Sequence, residues 1–240
     1  MANSIEGSWR VRPSSGIEKL ADRLWRVEGA VPGMSLRRTM TIAKCADGGL
    51  VIHSAIALDE SEMREIEAWG PPRHLVVPGA YHRLDAAAYK QRYPTLKVFT
   101  TRGSRPAVEK VVAVDGVYED FPSDEAVRLR TLPGTGDREG AMLVRGLDGV
   151  SVILNDVVMN MDRKRDVLGF LFTTLMGSAP GPRVSRLAKL ALVKDRSALR
   201  AELERLAALP DLARLVVSHE KVVNGRAEAS QALRLAAAFL

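Results

Sequence analysis

The sequence predicts an α/β fold in which two β-sheets pack face to face and helices cover both outer faces. Strand and helix patterns come in two successive rounds, one before about residue 115 and one after it. The first round contains a strand–helix–strand rhythm, which favours parallel pairing through a right-handed crossover. Two such rounds suit a four-layer αββα sandwich and do not suit a barrel of eight even units.

The first round begins as an antiparallel hairpin and then alternates strands with helices. The turn Asp47-Gly48-Gly49 separates two apolar strands, and Asp59 with Glu62 three residues later is typical of a helix start. The expected elements are strands at 24–27, 40–43 and 50–52, a helix at 59–69, a strand at 74–77, a helix at 84–93 and a strand at 96–99.

The second round has a hairpin followed by a mainly helical part. The turn Leu147-Asp148-Gly149 joins the two strands of that hairpin. The expected elements are strands at 127–132, 141–144 and 150–154, helices at 165–176, 183–193 and 195–208, a strand at 215–217 and a helix at 226–240. No fixed-period repeat is visible. At 240 residues one large core is the default for a layered α/β fold, so residues 1–240 are expected to form a single domain.

Composition narrows the class of partner. Hydrophobic residues make up 46% and charged residues 27% of the 240 residues, which is ordinary for a globular protein. The net charge of +6 is spread along the chain and lacks interleaved aromatic residues, so we interpret it as a solubility feature and expect no nucleic-acid partner. A small-molecule substrate or ligand is the expected partner.

Three further features concern location and association. The first eight residues lack the basic start and apolar run of a secretion signal, which favours a cytoplasmic location. The apolar stretch 167–176 is too short to span a bilayer. Because basic residues 163–165 precede it, this segment could contact a membrane surface, form a homodimer face or cover an apolar pocket. Burial against the sandwich is the favoured interpretation.

The histidines are informative because the chain has only four. His53, His82 and His219 follow three apolar strands, and Asp156 follows a fourth, so all four lie where α/β proteins build sites. His74 begins its strand at the opposite end and is interpreted as structural or solvated. A single histidine at a strand end is more often just hydrogen-bonded, but the joint placement favours a site.

Histidine and carboxylate are ligands for zinc, iron or manganese. The one cysteine, Cys45, excludes a thiolate cluster and an intrachain disulfide, so any metal must be held by nitrogen and oxygen. Three such ligands and an open position allow an ion to activate water and polarise a carbonyl. The glycine-rich segment 134–140 fits no nucleotide-binding pattern, so a nucleotide cofactor is not expected.

The order of these segments resembles the metallo-β-lactamase superfamily from about residue 24 to residue 219. The segments that carry the resemblance are Leu132-Pro133-Gly134-Thr135-Gly136, Leu154-Asn155-Asp156 and Val217-Ser218-His219-Glu220. The chain is most similar to a divergent branch whose members carry a His-Ser pair after an early strand, here His53-Ser54. The resemblance implies a sandwich of the metallo-β-lactamase type.

The chain also departs from the pattern of active family members. Where they carry His-x-His-x-Asp-His, this chain has residues 78–83, which keep only His82. Thr135 replaces a metal histidine, whereas Asp156 matches the bridging aspartate and His219 the final histidine. The remaining residues suit one divalent ion, zinc or iron, with His53 as a replacement ligand or general base. A binuclear hydrolase is therefore not expected.

The resemblance leaves two functions open. One is a mononuclear metal-dependent hydrolase with His82, Asp156, His219 and His53 as ligands, and with His53 and Asp156 also catalytic. The other is a non-catalytic binding protein that has lost most of its metal ligands.

Several neighbouring residues have two interpretations. Tyr81, Arg83 and Thr135 are candidate substrate-binding residues, although Tyr81 and Arg83 also suit an ordinary loop and helix start. Asp85 could turn into the site, but a helix cap is favoured. Ser54 cannot meet its neighbour His53 while both lie on a strand, so a serine hydrolase is not expected.

Overall fold

Two β-sheets lie face to face in the computed structural model, which describes residues 8–240. The expectation about a secretion signal concerned the first eight residues. Seven of them, residues 1–7, lie outside the described residues. The first sheet contains, in spatial order, β1 (Glu18–Ala21), β2 (Leu24–Ala30), β3 (Arg37–Lys44), β4 (Leu50–His53), β5 (Pro72–Val77), β6 (Lys97–Thr100) and β7 (Gly116–Val117). Its strands pair antiparallel up to β4 and parallel from β4 to β7.

The second sheet is antiparallel except for one central pair. It contains β8 (Val127–Thr131), β9 (Gly140–Gly146), β10 (Gly149–Leu154), β11 (Leu212–Val217) and β12 (Val223–Asn224), in the spatial order β12-β11-β10-β9-β8. Strands β10 and β11 run parallel, with Leu154 opposite Val217. The carboxyl ends of these two strands therefore meet, and the segments that follow them lie side by side.

The helices are α1 (Glu60–Trp69), α2 (Ala86–Arg92), α3 (Arg105–Val108), α4 (Val167–Phe170), α5 (Arg186–Ala191), α6 (Arg196–Ala207) and α7 (Arg226–Ala238). Helices α1 to α3 share an apolar core with the outer face of the first sheet. Helices α5 to α7 share another core with the outer face of the second sheet. A third core lies between the sheets. The predicted αββα layering is confirmed.

Strand alternation explains how one sequence fills these three cores. In β4, Leu50 and Ile52 belong to the core beneath α1 and α2, whereas Val51 belongs to the core between the sheets. Successive side chains of a strand point to opposite faces. Ile153 of β10 belongs to the same inter-sheet core as Val51. Burial of apolar area on both faces of each sheet drives this arrangement.

The two predicted helix caps have different outcomes. Asp59 caps α1, since its carboxylate accepts hydrogen bonds from the backbone N–H groups of Ser61 and Glu62, both at 2.9 Å. Asp85 precedes α2, but its side chain makes no cap hydrogen bond. The favoured cap interpretation of Asp85 is wrong, because its carboxylate turns inward and pairs with the buried guanidinium of Arg38.

The segment that follows β10 also differs from expectation. The predicted helix 165–176 is short, because α4 continues only as a π-helical turn, Leu171–Leu175. Its large apolar side chains are not buried, and Val167 is 83% exposed. Only the small face of Gly169 and Thr173 is buried. The favoured burial interpretation is therefore wrong for most of the segment. The membrane and dimer alternatives stay predictions, and so does the pocket-cover alternative, although Phe172 lines a cavity.

Short elements escaped the sequence analysis. Strands β1, β7 and β12 and helix α3 have two to four residues each, too few to show a period. Within residues 8–240, none of the helices combines the length and the apolar character that crossing a bilayer needs.

Candidate metal centre

Three of the four predicted ligands come together beyond the carboxyl ends of strands. Asp156 and His219 each lie two residues past the paired ends Leu154 and Val217 of β10 and β11. His82 lies in the loop after β5 of the other sheet, where its backbone N–H donates to the carbonyl of Gly79 at 3.3 Å. The site is thus built between the two sheets at one edge of the sandwich.

The ligand atoms converge on one carboxylate oxygen. Asp156 Oδ1 lies 2.9 Å from His82 Nε2 and 3.4 Å from His219 Nε2. One potential ligand atom from each residue lies within 4.8 Å of the other two. Around a tetrahedral zinc ion with bonds near 2.0–2.2 Å, ligand atoms are roughly 3.3–3.5 Å apart. The two distances to Asp156 Oδ1 lie within about 0.5 Å of this spacing, so Asp156 can bind the same ion as either histidine.

The other ring nitrogens fix how the two imidazoles are oriented. His219 Nδ1 lies 2.7 Å from the carbonyl oxygen of Arg37, which can only accept, so Nδ1 carries the proton. Its Nε2 then presents a lone pair to Asp156 unless a cation, either a proton or a metal ion, lies between them. An imidazole held by a backbone carbonyl in this way is typical of a metal ligand.

The charges of Asp156 and His219 also favour a bound cation. Burial by itself raises the pKa of Asp156, but the charges of His82 and His219 and their hydrogen bonds outweigh it, so the net pKa is well below the usual range. Burial lowers the pKa of His219, but the hydrogen bond and charge of Asp156 raise it above the ordinary value. Protons therefore compete with a metal ion for His219.

Ser54 orients His82, an arrangement that the sequence analysis missed. Strand β4 ends at His53, and Ser54 takes a positive φ of 59°, which turns its side chain away from the strand pattern. Its hydroxyl lies 3.0 Å from His82 Nδ1. Ser54 is fully buried, so its hydroxyl is placed to position the imidazole rather than to attack a substrate.

Replacing Ser54 with alanine is expected to weaken zinc binding by roughly 10- to 100-fold, the usual effect of losing a partner of a ligating histidine. Ser178→Ala is the matched control, because Ser178 is equally buried and its hydroxyl has no hydrogen-bond partner among the described residues. Zinc titration against a competing chelator measures the affinity. Equal zinc affinity in the two variants would show that Ser54 does not position His82.

His53 lies outside the group of converging ligand atoms. Its side chain is 1% exposed, and neither ring nitrogen has a hydrogen-bond partner among residues 8–240. Burial, together with the charge of His82, lowers the pKa of His53 to about 3. His53 is therefore neutral at ordinary pH. The structure places it near His82 but does not bring it into the ligand set.

The three candidate substrate-binding residues have different positions. Tyr81 is 77% exposed and lines a cavity of about 380 Å³ beside the ligand group. Arg83 instead donates a hydrogen bond to the carbonyl of Ala107. Thr135 is fully buried, and its hydroxyl donates to the carbonyl of Leu132 at 2.7 Å. Thr135 therefore closes the turn that follows β8, and only Tyr81 faces the cavity.

A buried acid beneath the site was also missed. Glu139 is 1% exposed, and its carboxyl accepts a hydrogen bond from Asn155 Nδ2 at 3.2 Å. Burial, reinforced by the charge of Asp156, raises the pKa of Glu139 well above its ordinary value. Glu139 precedes a glycine and opens a strand, so no sequence pattern marked it as buried. The raised pKa favours the protonated, neutral carboxyl in the folded chain.

Glu139→Gln is expected to stabilise the protein, and more so as pH rises. Because the folded-state pKa is raised, the unfolded chain releases this proton above pH ~4.3 while the folded chain keeps it, so stability falls with rising pH. Glutamine removes this fall, which amounts to up to about 1.4 kcal/mol per pH unit. Urea unfolding at pH 5 and pH 8 in chelator measures the difference, and a pH-independent difference would contradict the assignment.

Comparison with known proteins addresses the fold. No protein-family model matches the sequence, and no curated protein matches it. Solved structures do match over nearly the whole chain. A metallo-β-lactamase from Erythrobacter litoralis has a TM-score of 0.61 and 16% identity, covering 93% of this chain and 96% of its own. This chain has the metallo-β-lactamase fold.

Two further structures agree with this assignment. The metallo-β-lactamase FIM-1 from Pseudomonas aeruginosa, in its mono-zinc form, has a TM-score of 0.59 and 16% identity, covering 95% of this chain and 96% of its own. A metallo-β-lactamase from Pontibacter korlensis has a TM-score of 0.60 and 13% identity, covering 91% and 97%. The metallo-β-lactamase fold implied by the sequence resemblance is thus confirmed.

Proposed function

We propose that this metallo-β-lactamase-fold chain is a mononuclear metal-dependent hydrolase of a small-molecule substrate. His82, Asp156 and His219 would hold one zinc or iron ion. The observation that carries the proposal is the approach of both His Nε2 atoms to a single oxygen of Asp156 while a backbone carbonyl fixes the tautomer of His219. The mono-zinc form of FIM-1, which shares the fold, supports a single-ion site.

Each residue of the site has a definite part in this proposal. A bound divalent ion would lower the pKa of a water molecule and polarise a carbonyl oxygen. Ser54 and the carbonyl of Arg37 hold the two imidazoles in place. The lowered pKa values of Asp156 and His53 make both weak bases. Asp156 thus contributes as a ligand, and His53 contributes as a neutral group beside His82.

Removal and return of the metal tests the proposal. The chelator-treated protein should lose hydrolysis of simple carboxylic esters and recover it on addition of about one equivalent of zinc or iron(II). Hydrolysis that is unaffected by the chelator would overturn the proposal. So would uptake of less than about a tenth of an equivalent of either metal.

A non-catalytic binding protein is the second candidate. Ala80 and Thr135 lie at positions where the pattern of active family members has metal-binding histidines. This chain therefore offers fewer metal ligands than that pattern. Stoichiometric zinc binding with no turnover across a panel of esters, lactones and amides would favour this second function. Turnover of any member that depends on His82 would exclude it.

A further inference from the structure

The cavity beside the candidate metal ligands has mostly apolar walls. It measures about 380 Å³, within the range of small-molecule sites. Val31, Met34 and Leu36 from the loop between β2 and β3 form part of its lining, and Leu187 and Ala191 of α5 form another part. His82, Asp156 and His219 line the same cavity. A substrate at the ligand group must therefore contact a large apolar surface.

The polar groups of the cavity wall are mostly engaged elsewhere. Arg38 is the one arginine or lysine among the described lining residues. Its guanidinium donates to the carbonyl of Ala55 at 2.8 Å and to the carboxylate of Asp85. The hydroxyl of Ser185 accepts from the backbone N–H of Ala188 at 3.0 Å. The walls therefore suit an uncharged apolar group better than an anionic one.

We propose that this cavity binds the acyl chain of an uncharged ester, with the ester carbonyl at the ligand group and the chain between the β2–β3 loop and α5. The substrate class rests on the hydrolase function proposed above. Hydrolysis adds water across the acyl C–O bond and yields a carboxylic acid and an alcohol. Each methylene that enters the cavity strengthens binding by up to about fourfold, the equivalent of ~0.8 kcal/mol.

Binding can be measured without turnover. Chelator-treated protein is loaded with N-phenyl-1-naphthylamine, an uncharged fluorescent probe, and linear alcohols of four to ten carbons are used to displace it. The concentration for half-displacement is expected to fall by up to about fourfold per methylene until the cavity is filled. Half-displacement concentrations that do not depend on chain length would overturn the proposal.

Two leucines of α5 provide a matched pair of variants. Leu187 lines the cavity and is 38% exposed, whereas Leu190 lies outside this cavity and is 83% exposed. Leu187→Asp is expected to weaken octanol binding at least tenfold, and Leu190→Asp is expected to leave it unchanged. Because both side chains reach solvent, neither charge should prevent folding. Equal octanol binding in the two variants would show that the acyl chain does not bind in this cavity.

The proposed hydrolase function and the proposed acyl-chain binding can be tested separately. With p-nitrophenyl esters of two to ten carbons, kcat/KM is expected to rise with chain length in the zinc-loaded protein. Turnover without a preference for acyl-chain length would overturn the proposed acyl-chain cavity but leave the proposed hydrolase function standing. Chain-dependent probe displacement without turnover of any ester would overturn the hydrolase and keep an apolar-chain binding site.

Discussion

Asp156→Ala is expected to remove the stabilisation that zinc gives to this protein. At a free zinc concentration of 100 times Kd, a ligand that binds only the folded chain stabilises it by ~2.7 kcal/mol. Loss of the Asp156 carboxylate as a ligand should weaken zinc binding at least 100-fold. The zinc stabilisation of the variant is then ~0.4 kcal/mol or less at the same zinc concentration. Urea unfolding with and without zinc measures both values.

The control for this variant is Asp162→Ala, since Asp162 is a nearby exposed carboxylate that pairs with Lys221. It should keep the full zinc stabilisation. The wild-type effect should also grow from pH 5 to pH 8, because the raised pKa of His219 lets protons compete with zinc at low pH. Full zinc stabilisation in Asp156→Ala would show that zinc binds elsewhere.

Asp85→Ala is expected to destabilise the folded chain by about 3–5 kcal/mol, because it leaves a buried guanidinium without its counter-charge. Arg38 is 6% exposed and Asp85 is 3% exposed. The same carboxylate also accepts from the backbone N–H of Ala57 at 3.1 Å, so its loss frees a second buried donor. The free energy of unfolding in urea, measured in chelator, gives the cost.

Asp59→Ala supplies the comparison, because Asp59 also precedes a helix but truly caps it. Loss of that cap should cost about 1 kcal/mol. A double variant, Arg38→Met with Asp85→Leu, removes both charges and should regain most of the lost stability. A cost for Asp85→Ala no larger than that for Asp59→Ala would contradict the stabilising role of the buried Arg38–Asp85 pair.

The layered fold was predictable because it depends on the order of many elements. Each strand that the sequence analysis placed has four to eight residues and shows an apolar run or an apolar–polar alternation. Strand ends also predicted where His82, Asp156 and His219 would meet, because neighbouring parallel strands such as β10 and β11 share a carboxyl edge.

The remaining errors concern the direction in which single side chains point. His53 ends β4 on the inter-sheet side, as strand alternation requires, but its ring nitrogens do not join the three converging ligand atoms. Ser54 meets His82 only because its φ is positive, which no residue pattern announced. Asp85 turns inward because Arg38, 47 residues earlier, is buried beside it. Such contacts depend on distant parts of the chain.

The zinc K-edge X-ray absorption spectrum of the protein loaded with one equivalent of zinc is the most direct test of the proposed metal centre. We expect two imidazole nitrogens at ~2.0–2.1 Å, from His82 and His219, together with oxygen ligands that include Asp156. Sulfur from Cys45 in the coordination sphere, or oxygen ligands alone, would contradict the assignment.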